Sequence, residues 1–354
     1  MIMEADGPVN EQFVRLFEEW SGEKVRTISD LPESGSYRHY ARVKGTKRTA
    51  VAVHYADLRE NHAFIGFAHH FRKQGLPVPE IYAVSDDGAA YLQEDFGDED
   101  LFALLHGSEC QLADSTRRRD VLLKIIEWLP RFQVEGHQGL DYSLAYPRRS
   151  FDQQSMLWDL NYFKYNFLKL VRAPYDEQAL EDDFHTFTDF LCQAPTAFFL
   201  YRDFQSRNIM IRDNHPGFID FQGGRMGFPA YDLASLLYDA KAGFQPPERE
   251  WMYQVYRDHL AAYRKQWAGE LDRFYPGFIL IRKLQALGAF GFRGLIENKK
   301  SFLLSIPPAM VNLEYVTSHY SIEPVIPQLW KVLKDLPHGM GMKKILTDIK
   351  TNHS

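Results

Sequence analysis

The chain has 354 residues, of which 45% are hydrophobic and 25% are charged, and these are the proportions of an ordinary globular protein. Its net charge of −6 offers no positive field to nucleic acid or an anionic membrane, and its two cysteines make neither a disulfide framework nor a metal set. Since the chain starts without a signal peptide pattern and has no apolar run near the ~18 residues that cross a bilayer, we expect a cytoplasmic protein of two lobes.

The first part of the chain predicts a small sheet with helices. A stripe of apolar residues that includes Phe13 and Phe17 is typical of a helix, and a second stripe includes Phe64 and Phe71. Segments of alternating character between turns predict strands. The predicted helices are 11–20 and 57–74, and the predicted strands are 37–44, 49–55, 81–84 and 91–94.

A short turn, Ser34-Gly35-Ser36, precedes the first predicted strand, 37–44. The backbone N–H groups of such a turn can approach a phosphate group. No G-x-G-x-x-G pattern accompanies the turn, so an ordinary connection between elements is an equal alternative. We expect phosphate binding there only in combination with a catalytic site further along the chain.

The chain after Gly97 is mostly helical in its periodicity. Three glycines, Gly288, Gly291 and Gly294, are spaced three apart in one of these helical segments and predict a close approach between helices. The final segment is short and interrupted by glycine, and it predicts a frayed tail or a linker. We therefore expect an N-lobe over 1–96, a C-lobe over 97–336 and a tail over 337–354.

The most informative stretch is 198–227, in which three short apolar runs alternate with polar loops. The runs are too short for helices and predict buried strands, and the loops present Asp203, Asn208 and Asp220 at one end of them. Phosphoryl transfer from a nucleotide needs a carboxylate that accepts the hydroxyl proton, and an amide and a carboxylate that hold Mg²⁺. The three residues predict this chemistry, and the structural alternative is a hairpin with acidic turn residues.

The sequence of this stretch resembles those of the small-molecule kinases that share the protein kinase fold. Its catalytic loop matches the pattern D-x-x-x-x-N, and Asp220-Phe221-Gln222 is similar to the metal-binding Asp-Phe-Gly segment. Asp-Phe-Gln followed by Tyr231-Asp232 is more typical of the aminoglycoside phosphotransferase-like kinases. Within that group, the segment RDFQSRNIM most resembles the N-acetylmuramate/N-acetylglucosamine kinases, which phosphorylate an anomeric hydroxyl.

The resemblance extends over residues 34–336 and implies an α+β, protein-kinase-like fold. Such a fold has a small, nucleotide-binding N-lobe with an antiparallel sheet and a helix, and a larger, mainly helical C-lobe that carries catalysis and substrate binding. It also implies that the buried Asp232 steadies the catalytic loop, although the same residue can be the N-cap of a helix over 233–240.

The resemblance also assigns roles near the catalytic loop. It implies that Asp203 is the catalytic base and that Asn208 and Asp220 bind the metal, with Arg202 and Arg207 beside them. Arg207 has three alternatives: it stabilises the transition state, it binds a substrate carboxylate, or it forms a structural ion pair with Asp220 or Asp232.

In the N-lobe, Val51-Ala52-Val53-His54 matches the register of the kinase strand V-A-I-K. The match implies that Ala52 leaves room for adenine and that His54 stands where a kinase has its phosphate-binding lysine. A charge from Arg38, Arg42 or Lys44 would then replace that lysine. The other cofactor-binding residues that the resemblance implies lie in the linker that hydrogen-bonds adenine: Glu94, Asp95 and Phe96.

Together these features predict an ATP- and Mg²⁺-dependent kinase of an amino sugar, with a sugar-phosphate nucleotidyltransferase as a further partner that uses the product. An aminoglycoside kinase is an alternative if Asp159 and the acidic run 181–183 form an acidic floor. A choline or amino-alcohol kinase would need an aromatic cage. A nucleotide-binding pseudokinase is a fourth alternative, because His54 and Tyr201 replace the usual lysine and histidine.

Overall fold

The computed structural model describes residues 8–32, 38–107 and 116–353. Contacts within the chain divide it into two compact units. The first unit holds the described residues up to Arg149 together with Arg207–Gly224, and the second holds Ser150–Ser206 and the described residues from Arg225 onward. The lobe boundaries predicted from the sequence stay a prediction.

The secondary structure is dominated by helices, and the strands are short. The strands are β1 Thr27–Asp30, β2 His39–Lys44, β3 Thr49–His54, β4 Ile81–Val84, β5 Ala90–Gln93, β6 Phe199–Leu200, β7 Ile209–Arg212, β8 His215–Phe218 and β9 Arg225–Met226. The helices are α1 Pro8–Ser21, α2 Leu58–Lys73, α3 Leu101–His106, α4 Thr116–Val134, α5 Gln153–Phe163, α6 Glu177–Leu191, α7 Ala230–Leu237, α8 Pro246–Tyr263, α9 Gln266–Ala289, α10 Lys300–Leu303, α11 Ile306–His319, α12 Pro327–Asp335 and α13 Met340–His353.

An antiparallel sheet in the order β1-β2-β3-β5-β4 forms the centre of the first unit. Helix α1 covers one face, where Phe13 and Phe17 pack in a buried cluster with small and apolar strand residues such as Ala52. On helix α2, Phe64 stacks on Tyr91, with ring centroids 5.4 Å apart. Since Tyr91 pairs with Val53 and strand residues alternate between faces, α1 and α2 lie on opposite faces.

The second unit is mainly helical, with helix α9 in contact with α5, α7 and α8. Helix α9 continues into a π-helical segment, Phe290–Ile296. The predicted close approach of helices at the glycines is confirmed: a Cβ atom at Gly288 would lie 3.0 Å from the main-chain nitrogen of Phe163, and one at Gly291 would overlap the main-chain oxygen of Asn166. With its sheet in one unit and mostly helices in the other, the chain has the predicted α+β class.

The last segment of the chain differs from the prediction. In place of a frayed tail or linker, residues 340–353 form helix α13, on which Met342 and Ile349 are buried. Gly341, which suggested an interruption, instead lets the helix approach the main chain at Val171, where a Cβ atom would overlap the carbonyl oxygen. Among the described residues, no helix is both long and apolar enough to cross a membrane.

The glycine contact predicts how two matched substitutions change stability. Gly291→Ala places a methyl group against the backbone at Asn166, and we expect the free energy of unfolding to fall by about 1–3 kcal/mol. Gly269→Ala in the same continuous helix meets no atom within 4 Å, and we expect a gain of about 0.5–1 kcal/mol. Urea unfolding followed by circular dichroism measures both, and equal effects of the two substitutions would contradict this packing.

Candidate active site

The loop that carries Asp203 is attached to helix α7 by a buried carboxylate. The main-chain N–H of Tyr201 donates to Asp232 Oδ2 at 2.8 Å, and that of Arg202 donates to Oδ1 at 2.9 Å. Arg202 has a left-handed φ of 81°, which is unfavourable for a residue other than glycine. The two hydrogen bonds hold the loop in this conformation, so the prediction that Asp232 steadies the catalytic loop is confirmed.

The alternative role of Asp232 as an N-cap is wrong. Helix α7 starts at Ala230 with Pro229 as its N-cap residue, so Asp232 lies inside the first helical turn. Its side chain is fully buried and is directed to the loop main chain rather than to the N–H groups of its own helix. The sequence pattern of an acidic residue before an apolar run could not distinguish these two positions.

A buried ion pair holds the side chain of Arg202 next to Asp203. The guanidinium donates from Nη1 to Asp159 Oδ2 at 2.7 Å and from Nη2 to Oδ1 at 2.6 Å, and the Phe151 and Tyr231 rings lie 5.1 and 5.0 Å from its Cζ atom. Burial alone would lower the pKa of Arg202, but the Asp159 carboxylate raises it above its usual range. Arg202 is therefore charged and matched by Asp159.

Arg225 and Asp239 of the second unit interact with Arg202 and with the catalytic loop, respectively, and neither residue was predicted from the sequence. Burial and the nearby Arg202 charge lower the pKa of Arg225 to about 10, against the opposing effect of Asp159 and Asp203. Ser206 donates from Oγ to Asp239 Oδ2 at 2.6 Å, and its main-chain N–H donates to the same oxygen at 3.2 Å. Asp239 thus fixes the catalytic loop a second time, after Asp232.

The structure brings together the two predicted metal ligands, which both lie in the first unit. Asn208 Nδ2 donates to Asp220 Oδ2 at 3.0 Å, and Gln222 Nε2 donates to Asp220 Oδ1 at 2.6 Å. The N–H of Ile219 also donates to the carbonyl oxygen of Asn208 at 3.1 Å, which ties the two segments together. Asp220 has a left-handed φ of 67°, another unfavourable backbone conformation at this position.

The donor set around Asp220 suits a hard cation bound together with a ligand. No group of three or more His, Cys, Asp or Glu residues that could hold a metal is found in the described part of the chain. An amide oxygen and a carboxylate are instead a partial set, of the kind that binds Mg²⁺ when nucleotide phosphates and water complete the octahedron. The residues present fit that mode of binding.

Arg207 lies over the ring of Phe102, with its Cζ atom 4.2 Å from the ring centroid. Its side chain is exposed. The structural ion pair of Arg207 stays a prediction. Its roles toward a phosphate or a substrate carboxylate stay predictions.

The glutamate of helix α2 pairs with Arg38 and not with His54. Arg38 Nη2 donates to Glu60 Oε2 at 2.5 Å, and only 3% of the arginine side chain is exposed. Although burial acts in the other direction, the nearby Tyr40 and Tyr91 hydroxyl groups and the Glu60 and Asp220 carboxylates raise the pKa of Arg38. A permanent cation in contact with the helix glutamate is thus present, but it comes from the residue before β2.

Ala52 and His54 lie on the face of the sheet that helix α1 covers. Ala52 is paired with Ala41 and is buried in the cluster under helix α1, so its predicted contact with adenine is not supported. His54 is paired with His39, whose ring lies 5.5 Å from that of Phe13 on α1. The alternation along β3 was predicted correctly, but the sequence did not show that α1 covers this face.

Arg42 is engaged with the linker after β5. Its guanidinium donates to Asp95 from Nε at 2.6 Å and from Nη2 at 3.0 Å, and from Nη1 to Asp98 at 2.6 Å. Glu94 accepts from Arg212 at 3.2 Å, and the Cζ atom of Arg212 lies 5.4 Å from the Phe96 ring centroid. The structure therefore gathers the predicted linker residues around two arginines. Ser34, Gly35 and Ser36 lie outside the described residues.

Known proteins are similar to this chain. The phosphotransferase enzyme family matches residues 27–267. The N-acetylmuramate/N-acetylglucosamine kinase of Neisseria meningitidis serogroup B is 25% identical over 69% of this chain and 72% of its own length, and that of Pseudomonas aeruginosa is 23% identical over 94% of this chain and 95% of its own length.

Among solved structures, an aminoglycoside phosphotransferase in a ternary complex with ADP and hygromycin B is similar to this chain. The TM-score is 0.52 at 15% identity, over 88% of this chain and 99% of that chain. This likeness shows the protein-kinase-like fold that the sequence predicted. The chain therefore belongs to the phosphotransferase enzyme family and is a small-molecule kinase.

Proposed function

We propose that the chain transfers the γ-phosphate of ATP, with Mg²⁺, to the anomeric hydroxyl of an amino sugar of the N-acetylmuramate/N-acetylglucosamine type. The observation that carries the proposal is the catalytic loop held by Asp232, which fixes the main chain just before Asp203. Two relatives, which match this chain over most of their own length, are named as kinases of these sugars. The similar aminoglycoside phosphotransferase binds ADP, which supports a nucleotide as the phosphate donor.

In this proposal each polar group has one task. Asp203 accepts the proton of the sugar hydroxyl as the oxygen attacks the phosphorus atom. Asn208 and Asp220 hold Mg²⁺, which when bound neutralises phosphate charge. Arg38, kept charged and fixed by Glu60, takes the place of the kinase strand lysine. A nucleotidyltransferase that uses the resulting sugar phosphate stays a prediction.

Three of the four acidic residues considered as a floor for an aminoglycoside already have partners within the protein. Asp159 binds Arg202 in a bidentate ion pair, and Glu181 pairs with the buried Lys164. Asp183 accepts a hydrogen bond of 2.7 Å from the main-chain N–H of Leu329 at the start of helix α12. A polycationic substrate would have to compete with these partners, and this favours an acceptor without positive charge.

Two aromatic rings that could form a cage around choline already contact an arginine of the protein. The rings of Tyr238 and Tyr315 lie 4.6 and 5.7 Å from the Cζ atom of Arg249. These rings therefore surround a guanidinium of the protein itself, which occupies the place that a quaternary ammonium would take. The contact favours an amino sugar over choline as the acceptor.

The proposal predicts both a substrate and the effect of removing the base. With ATP and Mg²⁺ we expect the protein to phosphorylate amino sugars and not hygromycin B or choline. Asp203→Asn should lower kcat about 10²–10⁴-fold, because the substituted amide accepts no proton. Asp213→Asn is the matched control, since Asp213 lies in the exposed β7–β8 turn with a φ of 53° that asparagine also adopts. Release of ADP measures turnover for each acceptor.

Two results of this experiment would contradict the proposal. Phosphorylation of choline or the aminoglycoside in preference to both sugars would exclude the substrate class. An Asp203→Asn variant that keeps the wild-type kcat would exclude Asp203 as the base, whichever substrate is used.

The metal role of Asp220 predicts a loss of Mg²⁺-dependent nucleotide binding. Asp220→Ala removes a carboxylate that would hold the cation, whereas Asp203→Asn leaves Asn208 and Asp220 unchanged. We expect ATP with Mg²⁺ to raise the melting temperature of Asp203→Asn as much as that of the wild type, and that of Asp220→Ala much less. Thermal-shift titrations with and without Mg²⁺ test this, and equal stabilisation of all three proteins would remove Asp220 from the metal site.

The ion pair of Arg38 predicts which cation binds the nucleotide. Arg38→Met should weaken ATP binding by about 1.5–3 kcal/mol, the usual contribution of a charged hydrogen bond, and the KM for ATP should rise accordingly. His54→Ala is the control and should change that KM little, because His54 lies on the face covered by α1. Steady-state kinetics at saturating sugar measures both variants. A larger effect from His54→Ala than from Arg38→Met would reverse the assignment.

A further inference from the structure

The second unit contains three buried cationic side chains that lie close together, and we call them the cation cluster: Arg249, Arg282 and Lys283. Their exposed fractions are 8%, 9% and 5%. Arg249 is on helix α8, and the other two are consecutive residues of helix α9. Buried lysine and arginine residues are rare in proteins unless a carboxylate or another anion pairs with them.

The cluster forms no salt bridge with any described residue. Arg249 donates from Nη2 to the amide oxygen of Asn312 at 2.6 Å, and its Nε has no hydrogen-bond partner. Arg282 donates to Ser235 Oγ at 3.0 Å and to Gln285 Oε1 at 2.8 Å, which are both neutral. Lys283 has as its contact the Tyr238 ring, whose centroid lies 5.6 Å from Nζ.

Three other cations with little exposed side-chain surface pair with carboxylates. Arg38 pairs with Glu60, Arg202 with Asp159, and Lys164 with Glu177 at 2.7 Å. In these three pairs a carboxylate of the chain lies beside the cation. The cation cluster differs from these three in having no carboxylate within salt-bridge distance among the described residues.

Asp239, the carboxylate that acts on the charge of Lys283, already has hydrogen-bond partners. Asp239 favours the charged form of Lys283, but it accepts two hydrogen bonds from Ser206 and one of 2.9 Å from the N–H of Lys241. Burial, with the charges of Arg249 and Arg282, lowers the pKa of Lys283 to about 7. The positive charge of the cluster thus exceeds the negative charge that the described residues place beside it.

The cluster lies along helix α7, next to the catalytic loop. Asp239 follows this helix and binds Ser206, which is three residues after Asp203 in the loop. Arg282 reaches the same helix at Ser235, and its Cζ atom is 5.9 Å from the ring of Tyr231. That ring also lies against Arg202, beside Asp203. The cluster is therefore connected to the catalytic loop through helix α7 and the ring of Tyr231.

We propose that the cation cluster binds a carboxylate of the acceptor, and this inference rests on the function proposed above. A carboxylate accepts charged hydrogen bonds from Lys283 and from the Nε of Arg249, which the described residues leave without a partner. The substrate class is then an acidic amino sugar. N-Acetylmuramate carries a lactyl carboxylate that N-acetylglucosamine lacks, so these two sugars are a matched pair of probes.

The experiment measures the KM for each sugar and for ATP in the wild type and in Lys283→Met. We expect the wild type to have the lower KM for N-acetylmuramate. Lys283→Met should raise that KM roughly 10- to 100-fold, with little change for N-acetylglucosamine or ATP. The variant should fold, because removing a buried cation that has no anionic partner leaves no unpaired charge behind. Isothermal calorimetry with each sugar, without nucleotide, gives the same comparison independently of turnover.

A second pair of variants controls for general effects of charge on the second unit. Arg249→Met should reproduce the loss of N-acetylmuramate affinity. Arg257→Met, on the same helix, removes a partly exposed arginine that pairs with Asp272 at 2.8 Å, and should leave the KM of both sugars unchanged. Melting temperatures of all variants verify that each is folded.

The possible results separate the inference from the proposed function. Turnover of both sugars with equal KM changes in Lys283→Met would overturn the carboxylate site and leave the function in place, and so would turnover of N-acetylglucosamine alone. A rise in the KM for ATP in place of that for N-acetylmuramate would mean that the cluster binds nucleotide phosphate, and would also overturn the inference. Turnover of neither sugar would overturn both.

Discussion

The two hydrogen bonds that Asp232 accepts from the catalytic loop are the constraint on which the rest of the site depends. They hold Arg202 at a φ of 81°, a conformation that a residue other than glycine adopts only when its surroundings enforce it. The side chain of Arg202 is bound by Asp159, and Ser206 is bound by Asp239. The loop is therefore fixed at three points by buried or half-buried carboxylates, and the direction of Asp203 follows from them.

In the second unit, acidic side chains and buried cations differ in the partners that they have. Asp159, Glu181 and Asp183 bind an arginine, a lysine and a main-chain N–H group of the protein. The cation cluster of Arg249, Arg282 and Lys283 has neutral partners instead. Since a buried charge without a counter-charge is unfavourable, this distribution favours an acceptor that brings a negative charge over one that brings positive charges.

The first unit shows how a kinase-like ion pair is kept when the strand lysine is absent. Arg38 reaches Glu60 from the neighbouring strand region, on the sheet face that also carries Tyr40 and Tyr91. Arginine keeps its charge when buried, so this position supplies a permanent cation to Glu60. His54 is on the face that α1 covers, so its departure from the kinase pattern leaves the pair with Glu60 intact.

The sequence by itself determined the α+β class, the hairpin with Asn208 and Asp220, the loop with Asp203 and the close helix contact at Gly288 and Gly291, because these depend on local spacing and residue size. The tertiary structure alone decided that α1 covers Ala52, that Glu60 pairs with Arg38, and that the segment from Met340 is a packed helix. It also decided that Lys283 is buried beside the ring of Tyr238. Each of these depends on which distant residues meet, and periodicity along a chain carries no information about partners far away in the sequence.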